Sequence, residues 1–243
     1  MSLAHFSQGW RQREVILVLA LGLISIFLWR IPFLGIFFYP FHLFGTFVHE
    51  ISHGMAAVAT GGDFQRFAVN PDLSGAAQSR GGVQWIISSA GYVGSAIFGG
   101  LLVILSAWGA PARSVLFWLG ITLGLLCLLF VRNFFGIFTG LAIAAGLVFA
   151  GQRLNSLWAD GLLLFLAVQM MLNAMNSLFD LVLLSTAAPR VTTDAVIMAN
   201  TTGIPAVVWA VLWTGISLAC LTGSLYLAYR RAPTLPAEQS VVV

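Results

Sequence analysis

Apolar residues dominate this chain in long runs, broken only by short polar punctuation. A bilayer-spanning helix needs about 20 mostly apolar residues. Seven stretches qualify: roughly 15–38, 41–60, 83–109, 113–131, 133–151, 158–186 and 204–229. The first is interrupted by Arg30-Ile31-Pro32, which predicts a shorter helix followed by an interfacial piece. The fourth and fifth meet at Arg132-Asn133, a break so tight that it predicts either a helical hairpin or one partial span. Six to seven transmembrane helices follow. Two connections depart from this pattern. Residues 61–82 hold Asn70-Pro71-Asp72 and Gly75, a turn signal. Phe64–Val69 and Ala76–Ser79 flank it as two short strands, a β-hairpin-like loop. Residues 187–203 form the second, with Arg190 and Asp194, closed by Gly203 and Pro205.

Composition makes the membrane obligatory. Of 243 residues, 59% are hydrophobic and 8% charged, where a soluble domain carries about 25% charged residues. Polar surface on that scale cannot cover a soluble globule, so the lipid bilayer is the expected solvent. The fold class is therefore all-α and polytopic. One transmembrane domain is expected over 15–230, between a polar segment at 1–14 and a disordered tail at 231–243. No small-residue cleavage site follows the first apolar run, so it reads as a retained span rather than a signal peptide. The net charge of +3 is spread over ends and loops, which is not a nucleic-acid footprint. Arginine is divided almost evenly between the two sides, so it does not set the orientation. Cys127 and Cys220 lie in apolar runs and read as small core residues rather than a disulfide. The absence of lysine and the Ala, Gly and Arg bias point to a bacterial source, hence a bacterial cell membrane.

One apolar helix carries chemistry. Within 41–60 stands His49-Glu50-Ile51-Ser52-His53. A spacing of four places both imidazoles on one face, one turn apart, where they can hold one Zn²⁺. Glu50 is the candidate general acid/base toward a water activated there. An unpaired ionisable group inside a span costs about 2.5–3.5 kcal/mol, so this concentration calls for a function. A catalytic zinc takes three protein ligands. Asp180 is the acidic residue deep in a later span and the first candidate for the third. Asn173 and Asn176, seven and four residues before it, extend a polar stripe that reads as the wall of a water channel. Asp194 is the alternative ligand, although a carboxylate in a polar loop also reads as solvated or helix-capping. His42 lies two turns before His49, too far to be a direct ligand. In the third span Gly91, Ser95 and Gly99 repeat at four, a close-packing face for another helix.

Taken together these residues resemble the site-2 protease class of intramembrane zinc metalloproteases, in its compact branch described as peptidase M50B-like. The resemblance is carried by Phe47-Val48-His49-Glu50-Ile51-Ser52-His53-Gly54, by Gly61-Gly62, and by Pro71-Asp72-Leu73-Ser74-Gly75. It continues through Ala90-Gly91-Tyr92-Val93-Gly94-Ser95-Ala96-Ile97-Phe98-Gly99, Arg132-Asn133, Thr193-Asp194-Ala195 and Thr202-Gly203-Ile204-Pro205. It implies that His49 and His53 ligate zinc, that Glu50 is the acid/base, and that Asp180 occupies the place of the family's membrane-embedded Asp. The family's proline-rich stretch ending in Leu-Asp-Gly is replaced here by Phe179-Asp180-Leu181. The expected reaction is hydrolysis of a peptide bond in a membrane protein substrate, a substrate segment pairing as a strand with residues 64–79. The alternatives are a transporter or scaffold that keeps a zinc site, and a zinc enzyme acting on a lipid or small molecule.

Overall fold

The computed structural model describes residues 16, 18, 20–28, 31, 33–187 and 193–230. The polar segment 1–14, Arg30, Pro32, Arg190 and the tail 231–243 lie outside the described residues. The chain is an all-α membrane protein with one small sheet. After a helical stretch at 20–28, the elements run α1 (Gly35–Ala59), β1 (Asp63–Val69), β2 (Gly75–Arg80), α2 (Gln84–Ala107), α3 (Ala112–Phe130) and α4 (Phe134–Arg153). They continue with α5 (Ser156–Ala187), α6 (Asp194–Thr202) and α7 (Ala206–Arg230). Among the described residues five helices, α2 to α5 and α7, are long and apolar enough to cross a membrane. Helix α1 has the length, at 25 residues, but carries His42, His49, Glu50 and His53.

The hydrophobic pattern anticipated most boundaries to within a few residues. Two details differ. Residues 35–38 belong to the metal-motif helix rather than to the first span, because α1 runs on through Pro40. Residues 194–202, read as loop, form α6. Its start is a Thr193 N-cap whose side chain accepts from the Val196 N–H, and its end is Gly203 at φ 75°, a left-handed cap that glycine adopts without strain.

Helix α2 is the hub, and its small residues explain why. A methyl group at Gly94 would meet Ser52 of α1, one at Gly99 would meet Met170 and Met171 of α5, and one at Gly100 would meet Ser224 of α7. The stripe therefore admits three helices rather than one. The Arg132-Asn133 break is a hairpin: α3 and α4 pack along their length, with Gly120 against Ala144 and Val148 and Gly151 against Phe117. The main core joins α1, the sheet, α3, α4 and α5 through Phe47, Phe67, Leu116, Leu123, Cys127, Ala144 and Leu163, all buried. A separate cluster of Leu178, Leu181, Ala195, Met198, Ala210 and Trp213 joins the end of α5 to α6 and α7. Both cysteines are free.

The expected hairpin is present. Antiparallel β1 and β2 run from the pair Asp63–Arg80 to the pair Val69–Gly75, with an irregularity between Phe64 and Arg66. Three anchors hold it against the helices. The Tyr39 hydroxyl donates to the Pro71 carbonyl at 2.7 Å, and the Thr46 hydroxyl donates to the Leu73 carbonyl at 3.0 Å. The third is the outer edge of β1. The Val69 N–H donates to Asn133 Oδ1 at 3.2 Å, Asn133 Nδ2 donates to the Val69 carbonyl at 2.7 Å, and the Arg132 N–H donates to the Phe67 carbonyl at 3.1 Å. Asn133 thus imitates a strand backbone and closes the β1 edge. The turn itself is tightened by Asp72, which accepts from the Ser74 N–H and hydroxyl at 3.0 and 2.6 Å. Those bonds hold its carboxyl below the ordinary carboxylate range.

Candidate metal centre

His49 and His53 stand one turn apart on α1, and the chain brings Asp194 to them from the first turn of α6, 145 residues beyond His49. His49 Nε2 and His53 Nε2 are 3.0 Å apart, and Asp194 Oδ2 is 3.3 Å from the first and 3.4 Å from the second. Two ligand atoms on a tetrahedral zinc at ~2.0–2.1 Å stand roughly 3.3 Å apart. The observed triangle therefore has the size of one face of such a tetrahedron. The donor set, two imidazoles and one carboxylate, is that of a catalytic zinc with one position left for water or substrate.

The surroundings fit a cation independently of these distances. His53 Nδ1 lies 2.7 Å from the Ile87 carbonyl of α2. A carbonyl only accepts, so Nδ1 carries the hydrogen, and the neutral ring directs a lone pair at Nε2 into the space shared with the Asp194 carboxylate. Electron-pair donors that converge in this way are satisfied by a cation at their centre. Gly91 of α2 lies alongside, and a methyl group there would overlap both Nε2 atoms. The close approach of α2 thus depends on glycine at this position. Burial pushes the Asp194 carboxyl up, but the neighbouring His49 and His53 outweigh it and hold the group well below the usual carboxylate range.

Glu50 is next to His49 in sequence, about 100° further round the helix, and does not join the triangle. It is 4% exposed and lies beneath β2. A methyl group on Gly75 would overlap its carboxylate, and the Ala77 backbone N–H faces it. His49, His53 and Asp194 all lie within its electrostatic range. The side chains of His49 and Asp194 are 18% and 19% exposed, so the site opens on their side.

Other residues singled out by sequence lie elsewhere. Asp180, the first candidate for the third ligand, is exposed on α5 and accepts from Asn176 Nδ2 at 3.1 Å. The structure brings Asp194 to the imidazoles in its place, and among the described residues His49, His53 and Asp194 are the group able to hold a metal. The physical reason lies in the length of α5. Its 32 residues exceed the ~20 that cross a bilayer, so Asp180, near its end, has room at the interface and a partner in Asn176. Asn173 is buried and donates to the Phe41 carbonyl at 3.0 Å, against Gly45, one turn before His49. The stripe 173–176–180 therefore divides between a helix contact and an exposed pair, and none of its members joins the ligand triangle.

The aromatic surround of the site was not anticipated. The Tyr92 ring stands edge-on to His49 at 4.6 Å and 84°, and it stacks on Trp213 at 5.6 Å and 18°. Trp213 is fixed by its Nε1–H, which donates to Ser89 Oγ at 3.0 Å. In sequence the only signal was that Tyr92 follows Gly91 in the small-residue stripe.

With this geometry in view, comparison with known proteins is informative. Residues 14–224 match the family described as Peptidase M50B-like. The chain belongs to that family, a branch of the site-2 protease-type membrane metallopeptidases, and with five apolar spans among the described residues it is an integral membrane protein. No curated protein and no solved structure matches it.

Proposed function

We propose that this protein is a zinc metalloprotease that hydrolyses a peptide bond of a membrane protein substrate at or within the bilayer of a bacterial cell membrane. The observation that carries this reading is the convergence of His49, His53 and Asp194 beside the buried carboxylate of Glu50. His49, His53 and Asp194 would hold the zinc. When bound, zinc lowers the pKa of a water toward ~7 and polarises a carbonyl. Glu50 takes a proton from the attacking water as its oxygen adds to the scissile carbonyl carbon. As the carbon–nitrogen bond breaks, Glu50 returns that proton to the departing amine. Burial under β2 keeps Glu50 away from bulk water until a substrate enters.

The sheet supports a defined entry. Asn133 and Arg132 occupy the outer edge of β1, while β2 pairs with β1 on one side and faces Glu50 with Gly75 on the other. An extended substrate therefore adds to the β2 edge, which narrows the expected pairing with residues 64–79 to residues 75–79.

The test is zinc stoichiometry and proteolysis on detergent-purified protein, wild type beside Glu50→Gln. The expected outcome is about one zinc per chain in both, with activity lost in the variant by more than ~10²-fold. Unchanged activity in Glu50→Gln with full zinc content would overturn the catalytic role. A folded protein without zinc would favour the transporter or scaffold alternative.

A further inference from the structure

Hydrolysis of a peptide bond passes through a tetrahedral intermediate whose former carbonyl oxygen bears negative charge. Hydrogen-bond donors held in advance where that charge develops give some of the largest contributions to catalysis. The three ligands and Glu50 offer no such donor, because all four are engaged as electron-pair donors. Among the described residues arginine does not supply one either: none is a neighbour that shifts Glu50, Asp194 or Tyr92. Arg66 is bonded to Gln78, Arg113 to the Gly151 and Gln152 carbonyls, and Arg132 to the Leu129 and Val131 carbonyls. Asn133 and Asn173 are also engaged, on Val69 and Phe41.

Tyr92 remains. It follows Gly91, the residue that backs onto both ligating nitrogens. Its ring is clamped between His49 and Trp213, and Trp213 is itself fixed through Ser89. Its hydroxyl is in electrostatic range of Asp194 and Glu50, the two carboxylates of the site, and of Asp180. A phenol is a neutral donor, so it can approach two carboxylates without requiring a counter-charge. Resting on the proteolytic reading above, we propose that the Tyr92 hydroxyl donates the hydrogen bond that stabilises the oxyanion of the tetrahedral intermediate. No proton is transferred; the phenol stays neutral throughout. The stack on Trp213 fixes the ring before substrate arrives, so no reorganisation is needed when the charge appears.

Tyr92→Phe tests this, because it keeps the ring packed between His49 and Trp213 and removes only the hydroxyl. The probe is an N-phosphoryl Leu-Trp dipeptide, whose phosphoryl oxygens reproduce the tetrahedral geometry, titrated calorimetrically into zinc-loaded protein in detergent. The expected result is a full zinc content and an affinity for the probe lowered by about 10²-fold. Trp213→Phe, which keeps an aromatic backing but loses the bond to Ser89, is expected to retain zinc and lose about 10-fold in probe affinity; it carries the test if Tyr92→Phe does not fold. Wild-type affinity in either variant, or loss of zinc from Tyr92→Phe, would overturn the assignment, the latter by making Tyr92 a support for His49 alone. Failure of zinc-loaded wild type to bind the probe would instead overturn the proteolytic reading on which the assignment rests.

Discussion

The two sides of the metal triangle are built differently. His49 and His53 come from one helix whose neighbours Phe47 and Val48 belong to the main core, with Phe67 of the sheet and Leu116 and Cys127 of the α3–α4 hairpin. Their spacing is set by helical geometry, and the whole core must loosen to disturb it. Asp194 comes from the nine-residue α6, held by the separate cluster around Ala195, Met198 and Trp213. The metal would therefore join two hydrophobic clusters that otherwise meet mainly through α2 and α5. A ligand pair fixed by local structure can wait for its metal. The third donor, Asp194, is delivered by packing, and its position is only as secure as the small cluster behind it.

Removing the delivered ligand is the most direct way to break this contrast. Asp194→Ala should lose zinc by more than the ~10–100-fold that an outer-shell partner costs, while Asp180→Ala should bind zinc as wild type does. Metal analysis after dialysis against a buffered zinc series separates them, and the opposite ranking would restore Asp180 as ligand. Next in size is Gly91→Ala, which places a methyl group against both Nε2 atoms. Overpacking of this kind costs about 1–3 kcal/mol, and here it should be read out as reduced zinc content in a protein that still folds.

The two clusters can then be compared directly. Met198→Ala in the smaller cluster and Leu116→Ala in the main core each remove a fully buried side chain, at about 2–5 kcal/mol apiece. Unfolding in detergent should show both losses. Zinc affinity should fall for Met198→Ala, because Asp194 loses its support, and should change little for Leu116→Ala in the fraction that remains folded. Equal effects on zinc would show that the clusters behave as one. The smallest effect is expected from Asn133→Ala, which removes two hydrogen bonds from the β1 edge at about 1–2 kcal/mol. Hydrogen exchange at Val69 should accelerate while zinc content stays constant.

These differences also explain how much of the molecule could be read before it was seen folded. The spans were legible because lipid imposes a strong local rule: a helix that crosses the bilayer must be apolar along its length. The hairpin was legible because Asn70-Pro71-Asp72 and Gly75 are turn chemistry. The pair His49 and His53, with Glu50 beside them, was legible because all three sit on one helix whose period is known. In each case the residues that decide the outcome are neighbours along the chain.

The third member of the triangle is another matter. Asp194, after Thr193 and before a short helix, has the local signature of an ordinary helix start, and it is one in fact. Asp180 carried the stronger local signal, an acid within an apolar run, but its cost is relieved by Asn176 and by a helix longer than the bilayer requires. The same holds for Asn133, whose partner Val69 is 64 residues away, and for Tyr92, whose environment is made by α1 and α7 together. Sequence alone therefore determined the membrane class, the spans, the hairpin and the two-histidine motif, since each depends on hydrophobicity or geometry within one element. Only the tertiary structure decided which carboxylate completes the triangle, which strand edge Asn133 closes and which aromatic ring faces the site. Those choices depend on contacts between elements, where free energy is set by packing partners that no local pattern names.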